Sequence, residues 1–196
     1  MEKRTFDNLT VDAEDLIIAG DVEIHGVLTV NNANLIVSGA IKFVIKKSST
    51  FVTTENSIKV TNGSISAKSI IEEEGMYLDV FVENGDIYVA DELTVYYITL
   101  SGGGDIACYD LYAGCINSDG DIIVNNNTNV QDVTCLNYLV SGENDSGSIT
   151  AIQDIYILGD SDSCDLQARD IFLGGDAVLN GYGITTFGSV SIESLN

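Results

Sequence analysis

The residues best able to do chemistry in this chain are carboxylates. Asp119 with Asp121, Asp91 with Glu92, and Asp160 with Asp162 are close pairs of the kind that hydrolyse a glycosidic bond by general acid–base catalysis. In Gly159–Asp165 (GDSDSCD), Asp160, Asp162 and Asp165 also offer oxygen ligands to Ca²⁺. The EF-hand loop requires Gly at its sixth position and Glu at its twelfth, and this run supplies neither. SGGGDIACYD (101–110) does not meet the Ca²⁺-binding β-roll nonapeptide either. With 30 acidic residues in 196, close pairs arise by chance. The leading reading of Gly159–Asp165 is therefore a solvated acidic turn, Ca²⁺ binding is the sharper alternative, and no residue is assigned as catalytic. The single histidine, His25, stands between Ile24 and Gly26 with no carboxylate fixed beside it by spacing, and reads as a corner residue rather than a base. Cys108, Cys115, Cys135 and Cys164 contain no CxxC, so zinc and dithiol templates are unmet. Free thiols are expected ahead of the alternative, a disulfide between stacked coils, with Cys108 at a core position. GxSxG, P-loop and HExxH motifs are absent.

Charge narrows the partners. Thirty acidic residues face 8 basic ones, and residues 69–168 hold 19 Asp and Glu without one Lys or Arg. Such a surface repels nucleic-acid phosphates and anionic membranes, so neither is expected as a partner. It also disfavours a β-helix polysaccharide lyase, which sets Lys or Arg on its acidic substrate. No run approaches the ~18 apolar residues of a membrane helix. The opening MEKRTFDNLTVDAED lacks the apolar core of a secretory signal, and the expected compartment is the cytoplasm.

The elements that must position these residues are short strands. Around Gly104–Val124, apolar doublets at i, i+2 recur every five or six residues: Ile106/Cys108, Leu111/Ala113, Ile116/Ser118 and Ile122/Val124. Both members of a doublet face one way, and only two or three residues separate doublets. Hairpin sandwiches need longer strands and reversing turns. Doublets at Leu16/Ile18, Val22/Ile24 and Leu28/Val30 step by six and restart at Leu35, 19 residues on. Later restarts come at 87 to 106, 106 to 122, 149 to 166 and 166 to 184. The expectation is an all-β fold, a single-stranded parallel β-helix (β-solenoid) of nine or ten three-sided coils of about 16–20 residues. Residues 1–15 are expected to form a cap or tail, and 16–196 the solenoid domain. Val44–Ser57, Glu72–Gly75, Asn125–Asn129 and Val140–Gly147 read as loops or excursions. The absence of proline suits the fold, because proline cannot donate to a strand ladder.

Within a doublet the middle residue points outward. That slot holds Tyr88, Tyr112, Tyr156 and Phe172, which would form an aromatic stripe for sugars or a partner if they share one side of the coils.

DLIIAGDVEIHGVLTV (15–30) and SDGDIIV (118–124) resemble the repeats of bactofilins, polymer-forming bacterial cytoskeletal proteins with a right-handed β-helix. The resemblance implies right-handed winding and a scaffold that assembles end to end. The chain departs from that family in its irregular coils, its several loops and its lack of basic or proline-bearing tails.

Two functions are therefore expected ahead of others. The first is a non-enzymatic structural or interaction protein, a rigid acidic solenoid that self-associates as a homo-oligomer through its coil ends. The second is a carbohydrate-binding or adhesin-type β-helix, with a glycan as partner. A polysaccharide-cleaving enzyme ranks last, and no cofactor is called for beyond the Ca²⁺ alternative.

Overall fold

The computed structural model describes residues 4–44, 56–72 and 77–195. Among these the chain forms nineteen strands, from Arg4–Phe6 to Val190–Leu195, and every pairing between them is parallel. The result is a β-solenoid of about ten turns.

The doublets generate this winding directly. Both members turn inward and lose their contact with water, and each large aliphatic buried in this way contributes about 1.5–3 kcal/mol. The residue between them faces out. Three doublets complete a coil, and each strand bonds to its equivalents one coil below and one above. On the first side, Leu16 stacks on Leu35, and the column continues through Ile65, Ile87, Ile106, Ile122, Tyr138, Ile155 and Ile171 to Val190. The third side stacks Leu9, Leu28, Ile58, Val80, Ile98, Ile116, Val133, Ile149, Leu166 and Ile184. The registers read from the sequence, 16 with 35, 87 with 106, 106 with 122, 149 with 166 and 166 with 184, are the registers found.

The second side changes character along the stack. Its early coils turn Val22, Ile41, Ile70, Leu93 and Leu111 inward, and its later ones Thr128, Asn144 and Ser161. This corrects two loop assignments. Thr128 opens the strand Thr128–Cys135, and Tyr138–Val140 and Asn144–Ala151 are strands as well. Polar residues occupy inward positions there, so no apolar doublet marks them. Of the remaining two irregular stretches, residues 45–55 and 73–76 lie outside the described residues. Residues 4–12 supply Arg4–Phe6 and Leu9–Asp12, which pair in parallel with Val22–Ile24 and Val27–Asn31 and so lie over the first coil.

Corners are held by side chains that bond upward. Before the first side, Asp86 Oδ1 accepts the Asp105 N–H at 2.9 Å, and Asp105 Oδ1 accepts the Asp121 N–H at 2.9 Å. Below them Asp15 serves Asn34, Asn34 serves Ser64 and Ser64 serves Asp86; above them Asn137 serves Asp154 and Asp170 serves Ser189. The Gly-Asp dipeptides follow from this packing. A Cβ on Gly104 would lie 1.9 Å from the Gly85 carbonyl oxygen, so only glycine lets the coils close to strand spacing. At the corner before it, Asn32, Asn62 and Asn84 adopt left-handed φ of 56°, 50° and 56°. Their amides form a ladder, Asn84 Nδ2 donating to Asn62 Oδ1 and Asn62 Nδ2 to Asn32 Oδ1.

Candidate binding surface

The four aromatics singled out by position divide between two sides. Tyr88, Tyr156 and Phe172 lie in the outward column of the first side. Tyr112 lies on the second side, between Thr94 and Asn129. Tyr156 and Phe172 occupy adjacent rungs and stack, with centroids 4.5 Å apart and planes 16° from parallel. The Tyr88 hydroxyl donates to Asp86 Oδ2 at 3.0 Å, and that bond to a carboxylate raises the phenol above its ordinary pKa.

The whole outward column of the first side reads Ile17, Ile36, Ser66, Tyr88, Ala107, Ile123, Leu139, Tyr156, Phe172, Ser191. None of the ten is charged, in a chain with 30 acidic and 8 basic residues. The positions two residues further on, from Ala19 through Tyr109 and Leu158 to Glu193, add only Lys68 and Glu193 as charges. Ile17, Tyr88, Tyr109, Ile123, Leu139, Tyr156 and Leu158 are all exposed there. The other two sides differ. The second turns Glu23, Lys42, Asp145 and Asp162 outward, and the third carries a threonine-rich column with Lys59 and Phe81. A shallow depression of about 270 Å³ opens on the first side where Ser66 and Ala107 are small beside Tyr88 and Tyr109. Sequence reading missed Ile17, Ile36, Ile123 and Leu139 because isoleucine and leucine in an outward slot look like core residues.

A second aromatic group, also unforeseen, sits between the second and third sides. Tyr96 packs edge-on against both Tyr77 and Tyr97, with centroids 4.5 and 4.9 Å away.

The acidic run has a place in the corners. Ser161 and Ser163 turn inward and are buried, which sets Asp160 and Asp162 outside. Asp160 Oδ1 accepts the Asp176 N–H at 2.9 Å, and Asp162 Oδ1 accepts from the Asn180 amide. Asp165 stands beside Ser148 of the coil below. Among the described residues no three His, Cys, Asp or Glu side chains are grouped to hold a metal ion. The pair Asp119 and Asp121 is likewise divided: Asp119 accepts the Gly102 N–H and Asp121 the Asn137 amide. His25 does have a carboxylate neighbour, since Nε2 lies 3.2 Å from Glu23 Oε1.

All four cysteines are free thiols. Burial pushes Cys108 and Cys135 up to about 12, while Cys115 and Cys164 are half-buried. Near Cys135 the core holds a polar network. Asn144 Oδ1 accepts from Thr128 Oγ1 at 2.8 Å and from the Tyr138 hydroxyl at 3.0 Å. Its Nδ2 faces Ser146 at 2.9 Å, Ser163 at 3.0 Å and Ser161 at 3.3 Å. Every hydroxyl of this group is paired in a dry interior, which makes it a structural device.

Comparison with protein-family models, with curated proteins and with solved structures found no match to the chain.

Proposed function

We propose that this protein is a non-enzymatic interaction scaffold, a rigid acidic β-solenoid whose first side is its working surface. The observation that carries this reading is the ten-residue outward column without a charge on a chain of formal charge −22. Contiguous apolar surface of that kind marks interaction sites on soluble proteins. Hydroxyl-radical footprinting tests it. In an extract of its source cells, Tyr88, Tyr109 and Tyr156 become protected relative to pure protein at high dilution, whereas Tyr77, Tyr96 and Tyr97 do not. Equal reactivity in both conditions overturns the reading.

The coil ends favour a second, compatible mode. Among the described residues, Val190–Leu195 pairs only with Asp170–Thr186, and Arg4–Phe6 only with Val22–Ile24. Strand addition between copies is the route such a mode would take, and the resemblance of residues 15–30 and 118–124 to bactofilin repeats supports end-to-end assembly. Electron microscopy of concentrated protein should then show filaments, and their absence removes this mode alone. The stacked Tyr156 and Phe172 favour the carbohydrate reading, which a glycan array tests.

A further inference from the structure

We infer that the first side pairs with the first side of a second copy, the two solenoids lying antiparallel; this rests on the reading above and names its partner. Three observations carry it.

The first is charge. Each copy carries a formal −22, so two copies repel wherever their acidic corners face each other. The outward column of the first side is the line along which they can meet with no charge at the centre, where interfaces avoid it. Lys68, Glu193 and the corner carboxylates of Asp86, Asp105, Asp121, Asp154 and Asp170 lie at its margins. A basic partner would gain nothing there and would seek the carboxylate corners instead. The surface that fits the centre is long, uncharged and largely apolar, as the same column of another copy is.

The second is size. Nine strand spacings of about 4.8 Å make the side about 43 Å long, and five residues of about 3.3 Å, counted from the corner carboxylates to the positions two beyond the outward column, make it about 16 Å wide. Two such sides in contact bury on the order of 1,400 Å², within the range of stable specific interfaces.

The third is shape. Reversing the ten-residue column against itself sets small residues opposite large ones. Ala107 meets Ile123, Ser66 meets Tyr156 and Ser191 meets Ile17, while Tyr88 meets Leu139 and Ile36 meets Phe172 as large apolar pairs. The depression around Ser66 and Ala107 then receives Tyr156 and Ile123 of the other copy. Parallel pairing would set Ser66 on Ser66 and leave that depression empty. Antiparallel contact is isologous and closes at a dimer.

Sedimentation velocity on the purified full chain through the micromolar range tests the inference. A dimer is expected, and because it forms against net repulsion it should tighten as salt is raised. Leu139→Lys sets a lysine into the interface twice and should raise the dimer Kd about 100-fold. Thr134→Lys, on the third side, should leave Kd unchanged. Both positions face outward, and circular dichroism confirms that each variant folds. The double variant Ser66→Cys/Tyr156→Cys, whose two positions lie five rungs apart within one chain and so cannot bridge internally, should form an oxidised dimer, which neither single variant forms as fully. A strict monomer, a dimer indifferent to Leu139→Lys, or equal loss with Thr134→Lys overturns the inference. So does a monomer that binds a neutral glycan through Leu139 and Tyr156. If the pure protein is monomeric while Tyr88, Tyr109 and Tyr156 are protected in extract, the working surface stands and only its partner is wrong.

Discussion

Tyr138 and Asn144, six residues apart on adjoining sides of one coil, meet inside the core, the phenol 3.0 Å from the amide oxygen. Burial raises the phenol above its ordinary pKa and keeps it a neutral donor. Tyr138→Phe removes one of two donors to that oxygen and should cost about 1–2 kcal/mol. Asn144→Leu removes the amide at the centre of the network, leaves the hydroxyls of Tyr138, Thr128, Ser146, Ser161 and Ser163 only one another as partners, and should cost about 3–5 kcal/mol. Urea denaturation measures both, and an Asn144→Leu variant as stable as the parent would show that the network is dispensable.

Neighbouring glycines should respond unequally. Gly104→Ala drives a methyl group into the Gly85 carbonyl and should prevent stacking of that coil, lowering Tm steeply or abolishing folding. Gly103 has φ of +83° but open space around it, so Gly103→Ala should cost only about 1–2 kcal/mol. Similar thermal melts for the two variants would contradict the close approach of coils at Gly104.

At Asn62 the backbone and the side chain can be separated. Asn62→Gly keeps the left-handed corner and loses both amide contacts, a cost of about 1 kcal/mol. Asn62→Ala loses the same contacts and must also hold φ near 50° with a Cβ, adding about 1 kcal/mol. If the two variants unfold at the same urea concentration, the conformational part of this account fails.

Thiol reactivity should divide two and two. With pKa values near 12 and no access to water, Cys108 and Cys135 should resist alkylation in the folded protein at pH 8. Cys115 and Cys164 should be modified first. Mass spectrometry after brief iodoacetamide treatment reads the order, and early labelling of Cys135 would contradict the packing described.

Asp170 ties the last coil down in a pH-dependent way. Its carboxylate accepts the Ser189 N–H at 2.7 Å and the Ser189 hydroxyl at 2.8 Å, with Arg169 beside it, and these hold its pKa below the usual carboxylate value. The unfolded chain takes up the proton first as pH falls. The stabilisation is therefore complete above the ordinary Asp pKa, declines below it and vanishes beneath the folded value. Amide exchange at Ser189 should be slower in the parent than in Asp170→Asn at neutral pH, and the two should converge in acid. A difference that persists unchanged into strong acid would point to another cause.

The winding was legible because hydrophobic doublets and Gly-Asp corners carry it, and five registers followed from them. Thr128, Asn144 and Ser161 were illegible for the opposite reason: they point inward yet are polar, and only their mutual hydrogen bonds make that tolerable. The outward surface was half legible. A residue's place between doublet partners says that it faces out, but not on which of three sides. That side depends on counting corners, and the count lapses wherever the inward residues are polar. Tyr112 and Tyr156 look alike in sequence for this reason and lie on different sides. The uncharged column shows itself only once the registers are known.

Coil length is the feature with the widest practical reach. Leu35 and Ile65 are 30 residues apart, Ile65 and Ile87 22, and Ile106 and Ile122 16, yet each pair stacks in register. Between the second and third sides, Leu179 and Gly183 keep register with Ser163 and Asp165 although two more residues separate the later pair. That edge is a natural splice point: a peptide grafted there should ride on the rod without unsettling its winding, and grafts on successive coils would stand in a row at strand spacing.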